Sequence, residues 1–320
     1  MKILFTSVGR RVELIQAFRA AAEKEGEDLQ IHGADISQTA PALFFCDGRH
    51  IVPRITESGY IPALLEICQQ ETIDLVIPTT DRDLLLMAQQ RETFLRAGTR
   101  ILISDTDVVR KCRDKRETPD LFACAGLHAP KTYDNVGGYR DGFPAFIKPL
   151  DGSSSVNAYP VYDRQDLAAR ASQIKGYIIQ PFIDGEEYTI DAFCDFDGNP
   201  IYITPRIRLA TRSGEVSKTQ IRNDPRIVEE VYRLINVMKP CGPITVQMIR
   251  ERTSGTDWYI EINPRFGGGA PLSMSAGADS ARAIVRLLRG KSVVYEENAA
   301  EDNALYCRYD QSIKITIPQE

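Results

Sequence analysis

A chain of 320 residues that is 43% hydrophobic and 26% charged is long enough for about two packed domains and too apolar to stay disordered. Its net charge of −5 gives no reason to expect a nucleic acid partner, though it leaves room for a local basic pocket that holds phosphates. The opening MKILFTSV is too short for a secretory signal or a membrane span, and the seven cysteines form no CxxC pair, so they indicate neither a zinc site nor a redox motif. A cytoplasmic protein with reduced thiols and no membrane association is expected.

The N-terminal part alternates strand and helix signals. Apolar runs at 3–8, 31–36, 51–52, 75–78 and 100–103 read as strands, and helical periodicity falls at 12–23, 60–70 and 84–97. Strands separated by helices of this length predict a parallel sheet covered on both faces. Arg10, Arg11, Asp35 and Asp81 each follow a predicted strand, at the edge that faces the ligand crevice of an open parallel sheet; Arg10 and Asp81 are taken as substrate candidates. Solvated charges and helix caps would look the same. Gly9 stands alone without a GxGxxG pattern, so no dinucleotide site is read there.

After about residue 107 the pattern changes. Residues 108–125 read as one helix, 143–149 as a strand, and 151–157 as a loop of small residues. Strands at 177–183 and 187–193, a hairpin turn at 197–199, a helix at 227–238, two strands at 244–250 and 258–263, and a closing helix at 280–288 complete an antiparallel α+β region. The last thirty or so residues carry no clear signal.

Three segments carry chemistry. In Glu261-Ile262-Asn263-Pro264-Arg265, Glu261 and Asn263 share one strand face, and a hairpin brings Gln247 near them. Such oxygen donors suit magnesium, and Arg265 adds a cation where charge develops during phosphoryl transfer. A half-buried strand with a solvated polar face would show the same alternation. Phe146-Ile147-Lys148-Pro149 ends in a lysine, followed by a Gly/Ser loop with Ser153, Ser154 and Ser155. Backbone N–H groups of such a loop can wrap phosphate oxygens, although the lysine precedes the loop, unlike a P-loop. In Gln180-Pro181-Phe182-Ile183, followed by Glu187, a linker between sheets can offer its backbone to an adenine edge and a carboxylate to ribose; a plain turn is the alternative. Arg206, Arg208 and Arg212 lie between these segments and read either as recognition of an anionic substrate or as a solvated loop.

The three segments in this order, with Lys115 upstream, resemble the ATP-grasp superfamily over roughly residues 107–290. Gln247, Glu261, Asn263 and Arg265 are most similar to the carbamoyl-phosphate synthetase large-subunit branch. The resemblance implies a Rossmann-like pre-grasp domain at 1–107, a small ATP-grasp subdomain at 108–185, and a large one with a C-terminal tail at 186–320. It implies that Lys115 and Lys148 bind ATP phosphates, that Gln180, Pro181, Phe182 and Ile183 hold adenine, and that Glu187 holds ribose. Gln247, Glu261 and Asn263 become ligands of Mg2+ (or Mn2+), and Arg265 becomes catalytic. Many relatives carry an acid where this chain has Gln247, which supplies an oxygen but no charge. The implied activity is ligation of a small-molecule carboxylate to an amine through an acyl phosphate, with ADP released; a homodimer is left open. Carbamoyl-phosphate-synthetase-like phosphorylation of bicarbonate or carbamate is the first alternative. Against it, such synthetases have two halves, and this chain has one. A nucleotide-binding protein with a decayed site is the second.

Overall fold

The computed structural model describes residues 1–150, 157–212 and 214–315. In the first part, β1 (Lys2–Thr6), α1 (Val12–Glu25), β2 (Gln30–Asp35), β3 (Gly48–Ile51), α2 (Tyr60–Glu71), β4 (Leu75–Pro78), α3 (Leu84–Gln89), α4 (Arg91–Arg96) and β5 (Arg100–Ile101) follow in order. The five strands form a parallel sheet in the order β3-β2-β1-β4-β5. That order reverses direction between β1 and β4, so a ligand crevice opens beyond the carboxyl ends of these two strands. Leu4, Ala34 and Val76 pack on one face against Tyr60 and Leu64 of α2, and Ile3, Phe5 and Ile31 pack on the other against Phe18 of α1. The helix expected over 84–97 is two short ones meeting at Gln90.

The helix expected over 108–125 is also two: α5 (Thr106–Arg113) and α6 (Thr118–Cys124). Asp114 takes an extended backbone, and Pro119 sits in the first turn of α6. Proline lacks the N–H that a continuing helix requires, so it is tolerated only in a helix's first turn. The break leaves Lys115 outside both helices.

A small antiparallel sheet of β6 (Ala145–Pro149), β7 (Tyr159–Val161) and β8 (Tyr177–Pro181), in the order β7-β6-β8, comes next, with α7 (Arg164–Ala171) beside it. The remaining elements are β9 (Gly185–Cys194), β10 (Pro200–Arg212), β11 (Glu215–Ile221), α8 (Pro225–Met238), β12 (Gly242–Glu251), β13 (Asp257–Asn263), α9 (Ala270–Ser275), α10 (Ser280–Leu288) and β14 (Leu305–Cys307). Their strands make one antiparallel sheet in the order β13-β12-β9-β10-β11-β14. One face, with Ile190, Ile203, Val246 and Ile262, packs on the apolar stripe of α8, whose start is fixed by Asp224 accepting from the N–H groups of Arg226 and Ile227. α10 returns to the first sheet: Ala281, Ile284 and Val285 share a core with Ile3, Phe5 and Phe18. The two halves of the chain are therefore joined by buried apolar surface. No helix among the described residues is long and apolar enough to cross a membrane.

Candidate active site

The face of the large sheet away from α8 carries buried polar residues at several register positions, beside Phe193, which joins the core shared with α1. Gln247 lies opposite both Thr189 and Glu261, and Thr245 lies opposite both Asp191 and Asn263. Cross-strand partners share a face, so Gln247, Glu261 and Asn263 converge as the hairpin reading expects. A one-residue slip between β12 and β13 leaves Ile260 bulged. Because of it, Tyr259 and Ile262, three residues apart, both enter the core under the sheet while Glu261 and Asn263 stay on the site face.

Lys148, at the end of β6, faces this floor and is only 7% exposed. Burial lowers its pKa to about 8; attraction to Glu261 opposes the shift and repulsion from Lys115 adds to it. Lys148 therefore feels both Glu261 and Lys115. Lys115 is also buried, and its Nζ reaches toward the Leu150 carbonyl at 3.5 Å. Three oxygen donors, one of them anionic, with buried Lys148 drawn to Glu261, fit a magnesium-bound polyphosphate. Ser153, Ser154 and Ser155 lie outside the described residues.

Gln180 is buried on β8 opposite Phe146, its Nε2 donating to Thr132 Oγ1 at 3.0 Å. The Phe182 ring sits 6.4 Å from that of Phe146, and Pro181 and Ile183 are half-buried beside it. Glu187 opens β9 with an exposed carboxylate 3.2 Å from Arg208, whose Nη2 also donates to the Gly214 carbonyl at 3.2 Å. Arg208 therefore belongs beside the ribose candidate.

Arg265 crosses between the two halves. Its Nη2 donates to Asp81 Oδ2 at 2.6 Å and its Nη1 to the Phe266 carbonyl at 3.1 Å, while its buried Nε has no partner. Phe266 next to it stacks edge-on against Phe18 of α1, 6.2 Å between centroids, which fixes the backbone beneath the guanidinium. Asp81, taken from the sequence as a substrate candidate, thus meets Arg265 directly.

Of the two adjacent arginines after β1, the one that enters the crevice is Arg11. Its Nη1 is 3.9 Å from Glu215, and its Nη2 only approaches the Thr79 carbonyl, at 3.5 Å. Burial, then the nearby Arg265, lower its pKa; Glu215 and Asp81 oppose this. A Cβ at Gly268 would stand 3.0 Å from Arg11 Nη1, and one at Gly269 would stand 2.6 Å from Arg206 Nη2, so glycines let this loop pass between guanidinium groups. Arg10 points away: it is highly exposed and pairs with Asp310, which also accepts from Arg212. Arg308 beside them bridges Glu13 and Glu215.

The segment carrying Arg206, Arg208 and Arg212 is a strand rather than a loop. Arg206 is buried against Asp191, Nε to Oδ2 2.7 Å, and Ser273 Oγ donates to the same oxygen at 2.7 Å. Sequence reasoning missed Asp191, Glu215 and Arg308. The alternation of Ile203, Ile207 and Leu209 with Thr204, Arg206 and Arg208 held a strand signal, but nothing in it marked the pairing. Below the crevice, buried Asp83 accepts from Thr6 Oγ1 at 3.0 Å and from the Tyr60 hydroxyl at 2.8 Å, and burial raises its pKa to about 6.

Comparison with known proteins agrees with this fold. A profile of the PylC-like N-terminal domain matches residues 3–102, and one described as ATP-grasp in the biosynthetic pathway with Ter operon matches residues 173–311. The 3-methyl-D-ornithine--L-lysine ligase of Methanosarcina acetivorans is 24% identical over 302 residues, which is 92% of this chain and 76% of that protein. The carbamoyl phosphate synthase large chain of a Thermoanaerobacter species is 22% identical over 229 residues, 63% of this chain and 21% of that one. Among solved structures, the biotin carboxylase domain of 2-oxoglutarate carboxylase from Hydrogenobacter thermophilus, in complex with MgADP and bicarbonate, superposes with a TM-score of 0.74 at 15% identity, over 95% of this chain and 73% of that chain.

Proposed function

We propose that this chain is an ATP-grasp, ADP-forming ligase that activates a carboxylate with ATP and transfers the acyl group to an amine, as its match to an ATP-grasp profile and its ligase relative support. The observation that supports this reading is buried Lys148 under the influence of Glu261, with Gln247 paired opposite Glu261 and Arg265 fixed to Asp81 from the adjoining loop. The relative named for joining 3-methyl-D-ornithine to L-lysine supports an acid–amine pair as substrates. In this reading the chain divides into residues 1–107, 108–185 and 186–320, and adenine lies against Gln180 to Ile183 with ribose at Glu187.

Gln247, Glu261 and Asn263 would hold Mg2+, which would supply charge neutralisation at the phosphates. Lys148 and Lys115 bind phosphate oxygens. A carboxylate oxygen of the substrate attacks the γ-phosphorus, the bond to the β-phosphate oxygen breaks, and ADP leaves. The amine then attacks the acyl carbon, phosphate departs, and the amine's proton passes to solvent. Arg265, its guanidinium fixed by Asp81 and the Phe266 carbonyl, stabilises the charge of the transferring group; Arg11, weakly satisfied by protein acceptors, seats the substrate carboxylate.

A screen of ADP release against pooled carboxylates, bicarbonate and amines tests the proposal, with hydroxylamine added to trap an acyl phosphate as a hydroxamate. Arg265→Ala should lower kcat by about 10²–10³ with little change in ATP affinity, and Arg11→Ala should mainly raise KM for the acid. Nucleotide binding without ADP release from any pool would favour the decayed-site reading. ADP release with bicarbonate alone would favour the carbamoyl-phosphate-synthetase-like one.

A further inference from the structure

Two of the chain's three histidines meet outside the crevice. His32 on β2 and His50 on β3 bring Nδ1 and Nε2 to 3.0 Å, with their rings stacked 5.3 Å apart at 15°. Glu71 closes α2 nearby, and one ligand atom from each of the three lies within 4.8 Å of the others. Register puts both imidazoles on the sheet face that α2 covers: Leu4 pairs with His32 and His50 with Ala34, and Leu4 and Ala34 both pack against Tyr60 and Leu64. His32 is 5% exposed, whereas His50 and Glu71 are half-buried, so solvent reaches the cluster from one side.

The surroundings keep the ligand atoms clear. Gly48 lies opposite His32, and a Cβ there would stand 2.1 Å from His32 Nδ1. Any other residue would fill the space between the rings. Burial lowers the pKa of both imidazoles, which favours the neutral form that metals bind.

We propose that His32, His50 and Glu71 form a site for a divalent transition metal of the zinc type. Zinc–nitrogen bonds are about 2.0–2.1 Å, so two tetrahedral imidazole ligands have nitrogens about 3.3 Å apart. The observed separation reaches that value by a shift of a few tenths of an ångström, and the Glu71 side chain at the helix end turns in as third ligand. Two imidazoles and a carboxylate select against magnesium and calcium, which take oxygen donors. Water completes the coordination from the open side. The site would tie the edge strand β3 to β2 and to the end of α2, and is separate from the Gln247, Glu261 and Asn263 set.

The test uses the full chain, stripped with chelator and kept in excess Mg2+ so that the oxygen-donor site is occupied. Zn2+ is titrated by calorimetry and Co2+ by its visible ligand-field bands. One Zn2+ per chain is expected, with about ten-fold or greater loss of affinity in both His50→Ala and Glu71→Gln, and none in Glu261→Gln. Zn2+ should raise the Tm of the wild type and not that of His50→Ala. Glu71→Gln keeps the test decisive if His50→Ala fails to fold. The proposal is overturned if stoichiometric Zn2+ does not bind, if the two variants bind as the wild type does, or if the loss appears instead in Glu261→Gln.

Discussion

Lys148 links the local electrostatics of the site to a measurable pH dependence. Its pKa of about 8, against an ordinary 10.5, corresponds to about 3 kcal/mol of disfavour for the charged form. The folded chain holds this proton more weakly than the unfolded one does, so between about pH 8 and 10.5 the contribution of Lys148 to folding stability rises with pH. Nucleotide affinity should move the other way, because the phosphates bind the ammonium form. Near pH 8 about half of the molecules must take up a proton as MgATP binds, and by pH 9 affinity should be about ten-fold below its value at pH 7, since only about one amine in eleven is then charged. Calorimetry at pH 7, 8 and 9, in buffers of different ionisation enthalpy, measures both affinity and proton uptake. Lys148→Arg keeps its charge throughout and should bind with little pH dependence over this range. A wild-type affinity that is flat from pH 7 to 9, or a Lys148→Arg profile with the same slope, would refute the assignment of the phosphate contact to this amine.

Glu187→Ala should weaken ATP binding about ten-fold, as expected for loss of a charged hydrogen bond to a hydroxyl. It should leave binding of inorganic triphosphate unchanged or stronger, since Arg208 then loses its carboxylate partner; equal losses for both ligands would rule out the ribose role. Asp191→Ala strands the buried Arg206 guanidinium and removes the acceptor of Ser273. Breaking such a pair costs about 3–5 kcal/mol, readable as a lower urea midpoint, and a loss below about 1 kcal/mol would show that solvent or another acceptor compensates Arg206.

β1, β2 and β4 were legible because they are largely buried and so read as short apolar runs, whereas β3 is a half-exposed Gly-Arg-His-Ile edge strand that the expected strand at 51–52 overlaps only at Ile51. The hairpin that carries Glu261 and Asn263 was legible because these residues alternate with apolar ones. Pairing of Gln247 with Glu261 needed only the hairpin's direction. The bulge at Ile260 was not legible, since simple alternation assigns Ile260 and Ile262 to one face, whereas the core takes Tyr259 and Ile262. The choice of Arg11 over Arg10 was equally hidden: Ser7 and Gly9 both have positive φ, and that turn sets which of two neighbouring side chains enters the crevice. The break around Lys115 did have a signal, Thr118-Pro119, but the apolar periodicity through 108–125 outweighed it in the reading. β14 is three residues long and gains its place by pairing with β11, a contact over eighty residues away in sequence that no local pattern encodes.

The arrangement around Arg265 gives a physical reason for joining the two halves of this chain. A guanidinium that must respond to charge developing during transfer is most effective when it does not have to reorient. Its Nη2 is held by Asp81 from the parallel-sheet half and its Nη1 by the carbonyl of Phe266, whose ring is buried against α1. Neither restraint lies within the antiparallel sheet that carries Gln247, Glu261 and Asn263. Separating the halves would leave Gln247, Glu261 and Asn263 in register on their own strands but would release Arg265 and remove Arg11 from the loop of Gly268. The set of Gln247, Glu261 and Asn263 is thus a property of one sheet hairpin, whereas the positions of Arg265 and Arg11 depend on the two halves packing together.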